Sequence, residues 1–206
     1  MKIKGLYAIT DSSIRPELSN IEIARRVLAG GAGILQLRGK GLSSRELLEL
    51  AREIRELTRK AGATFIVNDR ADIAILSDAD GVHLGQDDLP IAEARKILGR
   101  EKLIGISTHN LDQALKAEQE GSDYIGFGPV FGTKTKADAE EAKGIEALKE
   151  VKKKVSIPVI AIGGINLENL KEVIDAGADG VAVISAIVKA ENIEETTKRF
   201  IEAFKR

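Results

Sequence analysis

Positions 36 to 40 read Gln-Leu-Arg-Gly-Lys. In an extended chain Gln36 and Arg38 point to one side, and Lys40 continues their line. A guanidinium grips two oxygens in parallel and an ammonium adds a point charge, so the pair beside a carboxamide suits an oligophosphate. A solvated basic loop would use the same cations. It would not need Gln36 inside an otherwise apolar run, Ile34–Leu37.

Carboxylates follow in two places. Asn68-Asp69 can offer an amide to a heterocycle edge and an oxygen to a hard cation, although the same pair makes Asx turns and helix caps. The stretch GVHLGQDDLP (81–90) supplies Asp87 and Asp88, with capping of a helix opened by Pro90 as the alternative. Mg²⁺ takes one or two carboxylates and completes its octahedron with water and substrate phosphate. His83 reads as a hydrogen-bonded structural residue rather than a ligand. Ser107, in GISTH (105–109), is placed to touch a phosphate. It lacks a base partner and a nucleophile elbow, which excludes serine nucleophile chemistry. Thr10-Asp11 is equally good turn chemistry, and no role is assigned to Asp11.

Two further stretches carry anion-binding equipment. The loop GPVFGTKTK (128–136) alternates hydroxyls with ammonium groups. The other is Ile157–Ala186, where two apolar runs flank a segment of helical spacing, Asn166–Ala176. The first run ends in Gly163-Gly164 and the second in Ile184-Ser185. Glycine lets backbone N–H groups approach an anion, and a helix start adds donors. A phosphate held by Gly164 and the Ile184–Ser185 turn is the functional reading; a tight glycine turn is the plain one.

The elements that would position these residues repeat. AGGAGILQL, DADGVHL, EGSDYIGF and AGADGVAVI each end a helix, turn and feed an apolar run. Such runs without polar alternation are strands buried on both sides, as in a parallel sheet. Strands are expected at 6–10, 34–37, 64–67, 81–84, 103–106, 124–127, 159–162 and 181–184. Helices are expected at 21–29, 45–60, 71–76, 91–98, 111–120, 145–154, 167–176 and 193–204. Eight of each in alternation is the α/β class and the (β/α)8 TIM barrel, all parallel, in a single domain spanning 1–206. The active site of such a barrel lies at the C-terminal ends of the strands, with phosphate loops after strands 7 and 8.

Bulk properties narrow the partners. The chain has 206 residues, 31 basic and 32 acidic, for a formal charge of -1, which argues against a nucleic-acid or membrane-binding face. With no cysteine there is no disulfide or thiolate metal site, and two histidines make a His-rich centre unsuitable. No apolar run approaches the length of a membrane span. A soluble cytoplasmic enzyme acting on small molecules is the expectation, and a homo-oligomer is compatible with it.

Taken together, the residues resemble the thiamine phosphate synthase family. The likeness runs from Tyr7-Ala8-Ile9-Thr10-Asp11 to Ser185-Ala186-Ile187, through Gln36-x-Arg38-x-Lys40, Asn68-Asp69, Gly81–Asp88, Gly128-Pro129, Thr133-x-Thr135-Lys136 and Ile162–Ile165. The resemblance implies condensation of 4-amino-2-methyl-5-hydroxymethylpyrimidine diphosphate with 4-methyl-5-(2-phosphoethyl)thiazole, or its carboxylated form, to thiamine phosphate and diphosphate. It implies that Gln36, Arg38, Lys40, Asn68, Ser107 and Lys136 bind the pyrimidine diphosphate, with Arg38, Lys40, Ser107 and Lys136 acting in catalysis. It implies Mg²⁺ on Asp69 and Asp88, and thiazole phosphate on Thr133, Thr135, Gly164, Ile184 and Ser185. Two positions depart from the family pattern. Gly132 stands where Pro is frequent, and Asp87 where Glu is, which leaves Asp87 open as a partner or replacement for Asp88. The rival readings are a thiazole tautomerase-like barrel, which needs no metal pair, and a non-catalytic phosphate-binding barrel, which needs only the Gly164 and Ser185 features.

Overall fold

The structure, a computed structural model, describes residues 3–133 and 141–204. Among these, eight parallel strands close into a barrel in chain order: β1 (Gly5–Thr10), β2 (Ile34–Leu37), β3 (Thr64–Asn68), β4 (Gly81–Leu84), β5 (Leu103–Thr108), β6 (Tyr124–Phe127), β7 (Val159–Ile162) and β8 (Gly180–Val183). β8 pairs back onto β1, with Gly180 beside Gly5. The helices are α1 (Asn20–Ala29), α2 (Ser44–Ala61), α3 (Ala71–Leu76), α4 (Ile91–Leu98), α5 (Leu111–Gln119), α6 (Gly144–Lys154), α7 (Leu170–Asp175), α8 (Ser185–Val188) and α9 (Ile193–Ala203). Among the described residues, no helix is long and apolar enough to cross a membrane.

Local chemistry explains the elements. At the start of α2, Ser43 accepts the Glu46 N–H while Glu46 accepts the Ser43 N–H, a capping box. Leu47, Ala51, Ile54 and Thr58 then recur at helical spacing and are buried against the barrel. Gly62 ends the helix in the left-handed region, at φ 67°, which a side chain would strain. The short strands β2, β6 and β8 are buried at every position, because helices cover one face and the barrel interior fills the other.

A repeated ion-pair clasp ties helix, turn and strand together. Asp80, Asp123 and Asp179 each immediately precede an even-numbered strand. Their carboxylates accept the backbone N–H of Phe65, Ile104 and Val159, at 2.8, 2.7 and 2.8 Å. Each also pairs with a cation from the helix that leads into the odd-numbered strand it bonds: Arg55 of α2, Arg95 of α4 and Lys152 of α6.

The expected elements are found with local differences. β5 runs on to Thr108 because Ser107 and Thr108 pair with Gly126 and Phe127, so Ser107 lies within the strand rather than after it. α7 begins at Leu170 and not at 167. Asn166 Oδ1 accepts the N–H groups of Glu168 and Asn169, and Asn169 Oδ1 accepts that of Asn166, so an Asx-type turn takes up these groups. Ser185 opens a separate four-residue helix, α8, before α9.

Candidate functional site

At the C-terminal ends of the strands lies a cavity of about 520 Å³. Inward positions of the strands alternate into its floor: Tyr7 and Ile9 from β1, Gln36 from β2, His83 from β4, Ser107 from β5, Tyr124 from β6. Of the residues singled out in the sequence, Gln36, Arg38, Lys40, Asn68, Asp69, Asp88, Ser107, Thr133, Gly164, Ile184 and Ser185 all line this one space, as does Asp87. Thr135 and Lys136 lie outside the described residues.

β2 delivers the cationic side. Arg38 is buried at the strand end, and its Nη1 donates to the Asp11 carboxylate. Thr10 and Leu37 are paired across β1 and β2, which sets Asp11 and Arg38 side by side just beyond. Asp11 is itself held, accepting from the Ser13 hydroxyl at 2.5 Å and the Ser13 N–H at 3.1 Å. Sequence reasoning assigned Asp11 no role. It is the anchor that fixes the guanidinium at the mouth.

The carboxylates are not spent on helix capping. α3 has Arg70 at its cap position and α4 has Pro90, and neither cap makes a side-chain hydrogen bond. Asp69 sits in the left-handed region at φ 63°, uncommon for a residue with a side chain, with its N–H donated to the His83 carbonyl. Asp88 Oδ2 accepts the Gly85 N–H at 2.6 Å, which folds the loop after β4 back on itself. Gln86 reinforces that loop by donating to the Ser107 carbonyl at 2.6 Å. These are hard oxygen donors, the set Mg²⁺ prefers. Among the described residues no group of three or more His, Cys, Asp or Glu is assembled to hold a metal unaided. Two carboxylates with water and substrate phosphate making up the shell is the arrangement the donors fit.

Beneath the mouth runs a chain of polar contacts through the barrel interior. Gln36 Nε2 meets Tyr7 Oη at 2.9 Å, and Tyr7 Oη meets Tyr124 Oη at 2.9 Å. Tyr124 Oη meets His83 Nδ1 at 3.1 Å, and His83 Nε2 meets Ser107 Oγ at 3.0 Å. Burial pushes the Tyr7 phenol well above its ordinary pKa, and its bonds to Tyr124 and Gln36 only partly offset this. Burial likewise raises Tyr124, with the Tyr7 phenol adding to the effect. Both are neutral hydroxyls. The expectation that His83 is hydrogen-bonded matches these contacts, whereas neither tyrosine was singled out. Two isolated glycines inside strands, Gly105 and Gly126, are the signal that was present.

The glycine pair after β7 serves a close approach. Gly163 and Gly164 have φ of 98° and 65°. A side chain at Gly163 would come within 2.4 Å of Pro129, and one at Gly164 within 2.7 Å of Phe131 Cβ. The Val130 and Phe131 N–H groups donate to Ile162 and Gly163 carbonyls at 2.8 and 3.0 Å. The β6 and β7 loops are thereby joined, and Thr133 and Gly164 line the same cavity.

Comparison with known proteins agrees with this geometry. The family model described as thiamine monophosphate synthase matches residues 6–187. The chain is 52% identical over 188 residues to the thiamine-phosphate synthase of Methanocella arvoryzae, covering 91% of this chain and 89% of that one. It is 49% identical over 201 residues to that of Moorella thermoacetica, covering 98% and 96%. Among solved structures, thiamine phosphate pyrophosphorylase from Pyrococcus furiosus superposes with a TM-score of 0.90 at 43% identity, covering 98% and 95%.

Proposed function

Because this chain belongs to the thiamine monophosphate synthase family, we propose that the mouth of its barrel holds both halves of thiamine, with the pyrimidine diphosphate along β2–β5 and the thiazole phosphate along β6–β8. The family reaction is that of the chain: pyrimidine diphosphate and thiazole phosphate condense to thiamine phosphate and diphosphate. The observation that carries the residue assignment is the meeting of residues from every strand end between β2 and β8 on one cavity.

On this reading Arg38 and Lys40 bind the diphosphate, with Lys136 joining them, and Asn68 and Gln36 address the pyrimidine. Ser107 donates to a diphosphate oxygen. Thr133, Thr135 and the backbone at Gly164, Ile184 and Ser185 bind the thiazole phosphate. Asp69 and Asp88 would hold Mg²⁺, which supplies Lewis-acid neutralisation of the diphosphate charge when bound.

The C–O bond to the pyrimidine methylene breaks first and its electron pair leaves with diphosphate. The thiazole nitrogen then gives its lone pair to the carbon, forming the C–N bond. No protein nucleophile is required: His83 Nε2 does lie 3.0 Å from Ser107 Oγ, against the sequence expectation that Ser107 lacks a base partner, but the displacement runs between the two substrates and Ser107 serves as a donor. What the side chains contribute is preorganised positive and donor character where negative charge grows, a type of contribution worth about 10²–10³-fold per group. The near balance of 31 basic and 32 acidic residues supports small-molecule substrates rather than a nucleic-acid partner.

The test is formation of thiamine phosphate from the two purified halves, with Mg²⁺ and with a chelator. Product that disappears on chelation supports the reading. Tight binding of the thiazole phosphate without product would overturn it in favour of a tautomerase-like or non-catalytic phosphate-binding barrel.

A further inference from the structure

The hydrogens in the chain of contacts through the barrel can be assigned by elimination. A phenol carries one hydrogen, and an amide nitrogen only donates. Gln36 Nε2 donates to Tyr7 Oη. The single Tyr7 hydrogen therefore goes to its other partner, Tyr124 Oη. Tyr124 has then accepted one bond, and its own hydrogen goes to His83 Nδ1. Nδ1 is the accepting nitrogen, so neutral His83 carries its hydrogen on Nε2 and donates it to Ser107 Oγ. Ser107 keeps its own O–H to give. No other described residue accepts it, and Ser107 faces the cavity.

We infer that Gln36, Tyr7, Tyr124, His83 and Ser107 form one directional relay, in which the Gln36 amide fixes the His83 tautomer and makes the Ser107 hydroxyl a donor to an anionic oxygen in the cavity. Resting on the proposed function, that oxygen belongs to the departing diphosphate. The bonds all point the same way, so each polarises the next and the last donor is strengthened. With His83 as the neutral imidazole, the relay buries no charge in the barrel. Turning the amide around would reverse each hydrogen in order, and Ser107 would have to donate to His83 instead.

The strands make room for this arrangement. A Cβ at Gly105 would lie 2.1 Å from Tyr124 Cζ and 2.6 Å from His83 Nδ1. One at Gly126 would lie 3.1 Å from His83 Cε1 and 3.3 Å from Nε2. The inward positions of β5 and β6 are emptied at the two places where the phenol and imidazole must meet. His83 and Tyr124 are thus positioning residues acting through Ser107.

The experiment is ¹⁵N-resolved NMR of the imidazoles at about pH 8, above the ordinary histidine pKa. The chain has two histidines, and the second serves as a reference of opposite sense. His109 Nδ1 faces the Gly128 carbonyl at 2.6 Å and must carry hydrogen there. The expected spectrum has His83 protonated on Nε2 and His109 on Nδ1. In Gln36→Glu a carboxylate that only accepts should reverse the relay and move the His83 hydrogen to Nδ1. Adding Tyr7→Phe should abolish that transfer. A wild-type His83 protonated on Nδ1, or a Gln36→Glu variant with His83 unchanged, overturns the relay. In the kinetic arm, Tyr124→Phe should lower kcat about tenfold with little change in KM. An unchanged kcat of the folded variant overturns the relay's part in the reaction. An inert wild-type protein with both tautomers as stated overturns the diphosphate assignment and leaves the relay standing.

Discussion

The guanidinium of Arg38, a residue 8% exposed, is paired at the barrel mouth with the carboxylate of Asp11, a residue 4% exposed. Arg38 is therefore set in place before any substrate arrives, with much of its charge already balanced. Removing one member of a buried pair leaves the other uncompensated, at a cost of about 3–5 kcal/mol. Asp11→Ala should lose about 3 kcal/mol in urea unfolding. It should also raise KM for the pyrimidine diphosphate about tenfold, equivalent to about 1.4 kcal/mol, because the fork is no longer aimed. A variant as stable as the parent would show that Asp11 is dispensable as an anchor.

The two carboxylate loops make separable claims. Asp69→Asn and Asp88→Asn should each lower kcat about 10²–10³-fold. Excess Mg²⁺ should restore part of that activity if each residue contributes only a portion of the metal shell. Asp87 is exposed and should tolerate the same change with less than about tenfold loss. Titrating Mg²⁺ against initial rate for the three variants decides between them. If Asp87→Asn is the more damaging, Asp87 and not Asp88 is the ligand after β4.

Alkaline pH should reveal the buried phenols. Tyr7 and Tyr124 are the chain's two tyrosines, and there is no tryptophan, so tyrosinate absorbance reports this pair alone. Their folded pKa values lie above the ordinary 10.0. The folded protein keeps protons that the unfolded chain releases, so their contribution is complete below about pH 10 and falls as pH rises. Each should steepen the loss of stability by about 1.4 kcal/mol per pH unit. In Tyr7→Phe that slope should drop by one such increment. Tyrosinate appearing before unfolding would contradict the burial argument.

How far the molecule was legible depended on the range of the contact. Strand and helix positions follow from local periodicity, and residues at strand ends could be read once the barrel was inferred. Gln36 stood out because a carboxamide inside an apolar strand has no packing purpose. Asp11 did not, since its meaning comes from the β1–β2 register, which sequence spacing does not display. Tyr7 and Tyr124 were not singled out, because their hydroxyls meet across 117 positions. Ser107 fell beyond the strand expected at 103–106, and the pairing with Gly126 that places it inside β5 is a long-range contact.

The Asp clasps before the even-numbered strands lead to a prediction in a place that lacks one. Asp80, Asp123 and Asp179 each join a strand N–H to a helix cation. By register, Leu6 faces Gly33 before β2 as Phe65 faces Asp80 before β4. The carbonyls of Gly33 and Asp80 also take equivalent bonds, from Thr64 and Leu103 at 2.9 and 2.8 Å. The Asp80 side chain is 16% exposed against 36% and 33% for Asp123 and Asp179, so its bonds are least screened by water. Asp80→Ala should therefore be the costliest of the three, at about 2 kcal/mol by urea unfolding. A Cβ at Gly33 meets nothing within 4 Å, so Gly33→Asp should fit and offer its carboxylate to the Leu6 N–H. The expected result is a gain of about 0.5–1 kcal/mol, from the added bond and the loss of a flexible glycine. A lower unfolding midpoint would mean that the clasp depends on its helix cation and cannot be transferred by the aspartate alone.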